Sequence, residues 1–419
     1  MSSASGRWVL AFNGEVYNHL DLRRRLEAER AATAWRGHSD TEVFLASIEA
    51  WGIETALKRC VGMFALALWD REERSLILAR DRVGEKPLYY GWQGEAFLFG
   101  SELKALHEHP SFAATVDRSA LALLLRLNCI PAPHSIYRGI HKLIPGHLLR
   151  IPFAAKTPSR NLVPTPYWQF NAAVTGGLQT PFVGSEFEAI DALEMQLTKS
   201  IRSQMIADVP LGAFLSGGVD SSTVAALMQT QSSRPVKTYT IGFHESDYDE
   251  AADARAVAAH LGTEHTELYI QSEDALAVIP SLSSMYCEPF GDSSQIPSFL
   301  ISQLARQHVT VALSGDGGDE LFGGYNRYLM ARQVWGKVQK LPLLARKALA
   351  GILRSLPPAT WDKVFNILKP LLPGKLRVTM PGEKAQKLAG VLTLDDGPAY
   401  FNRLTSHWTE PASIVIGAQ

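Results

Sequence analysis

At 419 residues the chain is too long for one ordinary hydrophobic core, so two or three domains are expected. Its 46% apolar and 20% charged content is that of a globular protein, and a formal net charge of −1 leaves no basic excess for nucleic acid or an anionic membrane. No apolar run reaches membrane-spanning length and residues 1–8 hold no signal-peptide core, so neither nucleic acid nor membrane is expected as a partner and the location is read as cytoplasmic.

Three cysteines, Cys60, Cys129 and Cys287, are odd in number and far apart, which argues against a disulfide framework or a zinc cluster and predicts buried thiols. Residues 8–12 form a strand, followed by Asn13-Gly14-Glu15 and then Val16-Tyr17-Asn18. Asn-Gly between apolar runs signals a β-hairpin. A helix is expected over 20–29, and Ser39 and Glu42 stand at capping-box spacing before the apolar run 43–48. Strands at 63–69 and 76–79 flank the charged turn 70–74. They lead into ARDRVGEKPLYYG, a further strand, and a helical patch over 119–126. Strands with helices set between them make this half α+β.

Prolines 152, 158, 164, 166 and 181, with Gly176-Gly177, break up residues 151–184 as a linker. Ser185 and Glu188 then form a second capping-box pattern. Phe187, Ile190, Leu193, Leu197 and Ile201 line one helix face and are read as core.

Residues 209–215 have strand length and 223–228 turn helical, with SGGVDSS between them. Two glycines let backbone approach a ligand, and the N–H groups that open a helix attract an anion such as phosphate. A Walker A loop would place Lys before its Ser/Thr, and a dinucleotide fingerprint would read GxGxxG. Here an acid, Asp220, stands inside the cradle. Carboxylate and polyphosphate repel unless a divalent cation bridges them, so Asp220 argues for Mg2+ held with a nucleotide. The plainer alternative is that Asp220 or Ser221 caps the helix while Gly217-Gly218 turns the chain.

Strands at 236–243, 265–270 and 309–313, with a helix over 249–262 ending at Gly262, predict a parallel doubly wound sheet whose ligands sit beyond the strand carboxyl ends. The last strand ends in SGDGGDE. If the two acidic glycine loops lie side by side, Asp220 and Asp319 can share a magnesium ion on pyrophosphate while Asp316 faces a reacting carboxylate. The alternative is a solvated turn. Beyond residue 328 the basic residues Lys337, Lys340, Arg346, Lys347 and Arg354 read as a solvated helix face.

FNGEVYN, SDTEVFL, GMFALALWD and LARDRVGEKPLYY resemble the glutaminase domain of glutamine-hydrolysing asparagine synthetases, an N-terminal-nucleophile hydrolase fold. SGGVDSS and SGDGGDELFGGYNRY resemble that family's synthetase domain, of the ATP pyrophosphatase (PP-loop) group. The motifs stand in family order across most of the first 330 residues. The resemblance implies an α+β N-terminal-nucleophile-hydrolase-like domain over 1–150, the linker over 151–184, and an α/β doubly wound parallel sheet of the PP-loop type within 185–419.

It also implies the reaction. The aspartate side-chain carboxylate attacks the α-phosphorus of ATP, pyrophosphate leaves on magnesium, and ammonia, derived in the family from glutamine, displaces AMP. By resemblance the Asn13 amide and the Gly14 N–H form an oxyanion hole, and Glu15 and Asp40 match the acids that hold the glutamine ammonium group. Leu215, Ile241, Ser314 and Gly315 match adenosine contacts of ATP. Ser216, Gly217, Gly218, Asp220, Ser221 and Ser222 make the phosphate loop, and residues 288–302 match a stretch near the substrate pocket. Aspartate, ammonia or glutamine, and ATP are thus the expected small-molecule partners, with a homodimer admitted.

Two family features find no match. One is an N-terminal nucleophilic cysteine followed by an arginine, upstream of Asn13; the other is a further helical segment with a Val-Asp-Arg motif. The expectation is a chain incomplete at both ends, with exposed sheet edges in its first domain, that uses ammonia and does not hydrolyse glutamine. The rivals are a related ligase acting on another acid, such as a β-lactam synthetase-like protein or a polysaccharide amidotransferase, and a non-catalytic nucleotide-binding remnant.

Overall fold

The computed structural model describes residues 1–31, 34–153, 162–244, 250–368 and 381–418. Pro158 of the expected linker and Asp249 at the start of the expected 249–262 helix lie outside the described residues. The chain divides into two compact units. The first comprises Met1–Leu124, Asn128–Gly315 and Ala412–Gln419, and the second Leu125–Leu127 and Asp316–Pro411.

In the first unit, β1 (Trp8–Val16), α1 (His19–Ala28), α2 (Asp40–Trp51), α3 (Ile53–Arg59), β2 (Gly62–Asp70) and β3 (Ser75–Arg80) come first in sequence. Next are β4 (Tyr89–Gln93), β5 (Ala96–Gly100), α4 (Leu103–His107), α5 (Arg118–Leu127, whose last three residues count with the second unit), β6 (Ile140–Lys142), β7 (His147–Pro152) and β8 (Thr165–Pro166). Two antiparallel sheets result, in the orders β1-β2-β3-β7-β8 and β5-β4-β6.

The period of two along β2 sorts its side chains between two cores. Phe64, Leu66 and Leu68 are buried with Leu22 and Leu26 of α1 and Phe44 and Ile48 of α2. Ala65 and Ala67 instead join Leu78, Leu88, Tyr90 and Leu143, toward the three-stranded sheet. Small residues on one face and large on the other let a second sheet approach the first closely.

Asn13-Gly14 is not a hairpin turn. β1 runs unbroken from Trp8 to Val16 and pairs along its whole length with β2. A type I′ turn needs positive φ at both central residues, and Asn13 does not have it. Gly14 serves close approach instead, since a Cβ there would lie 2.0 Å from the Met63 carbonyl oxygen. The Ser39 and Glu42 capping box is not made either. Ser39 Oγ accepts from Thr41 N–H at 3.1 Å, whereas Glu42 turns away to accept from the N–H groups of Arg36 and Gly37 at 2.8 and 3.0 Å. Of the thiols, Cys60 is buried and Cys287 half-buried, but Cys129 is exposed, against the expectation.

After α6 (Phe170–Gln179) comes α7 (Glu186–Gln204), opened by the expected Ser185–Glu188 capping box. Its apolar stripe is core only at one end. Ile201 is 6% exposed and Leu197 packs beside it, but Phe187 is 81% exposed, and Ile190 and Leu193 are exposed as well. Only its last turns pack against β9 (Leu211–Phe214) and α8 (Val219–Gln231).

β9 (Leu211–Phe214), α8 (Val219–Gln231), β10 (Lys237–Phe243), α9 (Ala251–Leu261), β11 (Glu264–Ile270), α10 (Ser272–Met285), α11 (Gln295–Arg306) and β12 (Val311–Leu313) follow. They form the expected all-parallel sheet, in the order β11-β10-β9-β12. Ala213 and Leu215 pack with α7, α8 and α9, while Phe214, Tyr239 and Ile241 pack with α10 and α11, so helices cover both faces. Reversal of the strand order beside β9 leaves a crevice at the carboxyl ends of β9 and β12.

The second unit is helical: α12 (Gly318–Phe322), α13 (Asn326–Val338), α14 (Leu343–Arg354), α15 (Pro358–Leu368), α16 (Pro381–Leu392) and α17 (Gly397–Thr405). Val338, Ala350, Ala389, Leu392 and Tyr400 make its core. Arg346 departs from the solvated-face reading: it is buried and donates to the Leu394 carbonyl at 2.9 Å. No helix among the described residues is long and apolar enough to cross a membrane.

Candidate functional site

The loop from β9 to α8 is tied by one hydroxyl. Ser221 Oγ accepts from Ser216 N–H at 3.1 Å, lies 2.9 Å from Ser216 Oγ and reaches the Gly218 carbonyl at 3.3 Å. Gly217 has φ of +79°, and a Cβ there would press on Asp253 and Ala254 of α9 at 2.8 Å. Gly218 is the N-cap of α8 and Asp220 stands in its first turn, where unpaired backbone N–H groups favour negative charge.

Gly315, just beyond β12, completes the arrangement. A Cβ on Gly315 would sit 2.8 Å from Ser221 N and 3.0 Å from the Asp220 carbonyl carbon, so this backbone lies directly on the first turn of α8. The two loop regions are thus neighbours, as the parallel pairing of β9 with β12 requires. Leu215 is buried, and its N–H donates to the Tyr239 carbonyl at 2.9 Å. Ser222 Oγ is buried without a hydrogen-bond partner among the described residues. Ile241 is buried with Ile270, Val278 and Leu300, and Ser314 is half-buried.

The chain enters the second unit at Asp316. Within that unit Asp316 is exposed, and Asp319 opens α12 with its carboxylate over Gly324, whose added Cβ would meet Oδ1 at 2.0 Å. Glu320 accepts from the Tyr325 hydroxyl at 2.7 Å, a bond that pushes the Tyr325 phenol up to about 12.

A second arrangement surrounds the end of β1. Tyr17 N–H donates to the Val61 carbonyl at 2.8 Å, and the antiparallel ladder alternates from there. Asn13 and Glu15 therefore direct their N–H groups to β2, while the Gly14 N–H points off the sheet edge. Asn13 Nδ2 donates to Ser101 Oγ at 2.9 Å. Asp40 braces the strand, its Oδ2 accepting from Val16 N–H at 2.8 Å and its Oδ1 from the Thr41 hydroxyl at 3.0 Å.

Sequence reasoning missed the device beside it. Asp81 is fully buried and its carboxylate accepts five backbone N–H bonds, from Phe64, Val83, Gly84, Glu85 and Lys86, at 2.6 to 3.2 Å. The available signal was the charged run RDRVGEK set between two apolar strands. Burial, and then the charge of Asp81, raises the Glu85 carboxyl above its ordinary value. The Tyr17 phenol is pushed up by burial and then by Glu85, Glu15 and Asp81. This acid-rich corner favours a cationic group. Cys60 shares it: burial, against Arg82 and together with Asp40 and Asp81, pushes its thiol up to about 12.

Residues 285–291 are anchored to the first half of the chain, which the sequence did not reveal. The half-buried Glu288 carboxylate accepts from Ile136 N–H at 2.7 Å and from the Lys142 ammonium, and lies 3.5 Å from the Tyr89 hydroxyl. Cys287 Sγ accepts from Leu103 N–H at 3.3 Å, and Asn128 bonds to Gly291.

Residues 1–168 match the family model described as a glutamine amidotransferase domain, and residues 192–412 match that described as asparagine synthase. A provisionally named glutamine-hydrolysing asparagine synthetase 2 of Methanocaldococcus jannaschii is 34% identical over 342 residues, which are 81% of this chain and 62% of that protein. The glutamine-hydrolysing asparagine synthetase 1 of Bacillus subtilis is 33% identical over 321 residues, 77% of this chain and 48% of that one. The chain spans about half the length of such relatives, or somewhat more. Among solved structures, the glutamine phosphoribosylpyrophosphate amidotransferase from B. subtilis complexed with ADP and GMP gives a TM-score of 0.28 at 16% identity, over 66% of this chain and 51% of that one, too slight a likeness to argue from. The asparagine synthase model alone takes in more than half of the residues, and the chain belongs to the asparagine synthase family.

Proposed function

We propose that the chain carries ATP-dependent amidotransferase chemistry of the asparagine synthetase type, in which the aspartate side-chain carboxylate is adenylated and ammonia displaces AMP. The observation that supports it most is the seating of the Gly315 backbone against the first turn of α8 at the carboxyl ends of two adjacent parallel strands.

In this reading the N–H groups at the start of α8 receive the phosphates, and the Ser216–Ser221 bond holds the loop ready before ATP arrives. Leu215, Ile241, Ser314 and Gly315 contact the adenosine, and Asp316 faces the reacting carboxylate. Among the described residues no three metal-ligating side chains gather. Asp220, with Asp319 as its proposed companion, would hold Mg2+, which when bound neutralises charge on the leaving pyrophosphate. At the β1 edge, Asn13 and Gly14 form an oxyanion hole, and Glu15 and Asp40 hold the glutamine ammonium. The division into an N-terminal-nucleophile-hydrolase-like domain over 1–150, a linker over 151–184 and a PP-loop domain over 185–419, a homodimer and a cytoplasmic location belong to the same proposal.

The test supplies the chain with ammonium, aspartate, ATP and Mg2+. Asparagine, AMP and pyrophosphate formed in equal amounts support it. Formation of ADP in place of AMP, or turnover indifferent to aspartate, overturns it.

A further inference from the structure

A cavity of about 560 Å³ lies between α1 and the last turns of α7, with Tyr17 and Val61 beyond the end of β1 in its wall. Its lining carries Arg24 and Arg25 of α1, Arg59 of α3, and Lys199 and Arg202 of α7, against one acid, Asp21. Arg24 is paired with Asp21. Arg59 stacks on Trp51 at 4.3 Å and reaches Glu29 at 3.8 Å. Arg25, Lys199 and Arg202 have no carboxylate within 4 Å among the described residues.

A plainer account covers part of this set. Arg25, Arg59 and Arg202 each stand in the last turn of a helix, where a cation complements the dipole. That reason covers one cation per terminus. With Arg24 paired to Asp21, it leaves Lys199, and the convergence of three basic helix ends on one cavity, without an explanation. Arg25, Lys199 and Arg202 are exposed, and like charges gathered on one cavity wall repel one another and favour an anion between them. Ser203, four residues on from Lys199, lines the same wall with its hydroxyl donating to the Ser200 carbonyl at 2.7 Å, and Ser200 Oγ there accepts from Gln204 Nε2 at 3.2 Å.

We infer that this cavity binds a small soluble molecule bearing a diphosphate group. Three cations without a carboxylate partner among the described residues match the charge of a diphosphate near neutral pH. The volume falls within the range of roughly 300–1,000 Å³ typical of small-molecule sites, which argues for a ligand held between helices. The site is separate from the phosphate loop at α8 and does not depend on the proposed reaction.

The experiment titrates the full chain with inorganic pyrophosphate, without magnesium, by calorimetry. Lys199→Glu and Arg25→Glu alter exposed side chains and should keep the wild-type circular dichroism. Each is expected to weaken one saturable site at least tenfold, Lys199→Arg to retain it, and Gly315→Ala, which disturbs the α8 loop, to leave it unchanged. Inorganic phosphate should bind at least tenfold more weakly. Pyrophosphate affinity equal to wild type in both charge reversals, or no saturable binding, overturns the inference. Co-sedimentation with phosphatidylinositol bisphosphate vesicles without pyrophosphate binding assigns the cations to a lipid headgroup and overturns it as well.

Discussion

Replacing Asp81 by Asn keeps the shape of the side chain and removes its charge, which isolates what the buried carboxylate contributes. Three backbone N–H groups, of Val83, Gly84 and Glu85, converge on Oδ1, and two, of Phe64 and Lys86, on Oδ2. An asparagine can satisfy the first set with its oxygen, but its NH2 then faces two donors. Hydrogen bonds to a charged group contribute about 1.5–3 kcal/mol each, so losing two costs about 3–6 kcal/mol before the other three weaken to neutral strength. That is a large share of the roughly 5–15 kcal/mol that holds a domain folded. Urea unfolding followed by tryptophan fluorescence reads it, because Trp8 is buried in the core of this half. The midpoint should fall steeply at unchanged m-value. A loss below about 1 kcal/mol would refute the reasoning, since it would mean that water or a rotated loop satisfies those N–H groups as well as the carboxylate does.

Gly315→Ala places a methyl against Ser221 N and the Asp220 backbone, and should remove ATP–pyrophosphate exchange while the circular dichroism stays that of the wild type. Burial pushes the Asp70 carboxyl up, but Arg7 and the N–H groups of Glu73 and Glu72 outweigh it and hold it below the ordinary carboxylate value. A lowered folded-state pKa contributes stability that is present above about 3.9 and lost as pH falls through the folded value, so Arg7→Ala should destabilise at pH 7 and converge with wild type in acid; a gap independent of pH contradicts this. A thiol reagent at pH 8 should label Cys129 in the native chain and Cys60 only after unfolding, since the Cys60 thiol is 2% exposed and pushed up to about 12. For the same reason glutamine incubated with the chain should give no glutamate that depends on Cys60, and a fall in glutamate production on Cys60→Ala would contradict that.

Where the sequence was legible, local chemistry and tertiary context agreed. SGGVDSS reads as a strand-to-helix anion loop because glycine spacing, an apolar strand before it and an apolar helix after it all require the same backbone, and the loop between β9 and α8 has that form. The parallel sheet followed from the alternation of strands with helices. The failures have a common cause: a local signal was overridden by a distant partner. Asn13-Gly14 has turn chemistry, yet β2 pairs straight through it. Glu42 stands at capping spacing, yet the N–H groups of Arg36 and Gly37 claim it. The α7 stripe has core periodicity along its length, but only its last turns meet the sheet. Glu288 was invisible for the same reason, since it has no signature until the backbone of Ile136 meets its carboxylate, and the charged run around Asp81 does not say which of its acids the backbone encloses.

The central claim is adenylation at the α8 loop, and ATP–pyrophosphate exchange on the chain and its Asp220→Ala variant tests it most directly. Aspartate should drive exchange of labelled pyrophosphate into ATP in the presence of Mg2+, and the variant, with its substitution in a half-exposed first turn, should stay folded and lose the exchange. Exchange undiminished in Asp220→Ala, or driven by another acid and not by aspartate, would contradict the account.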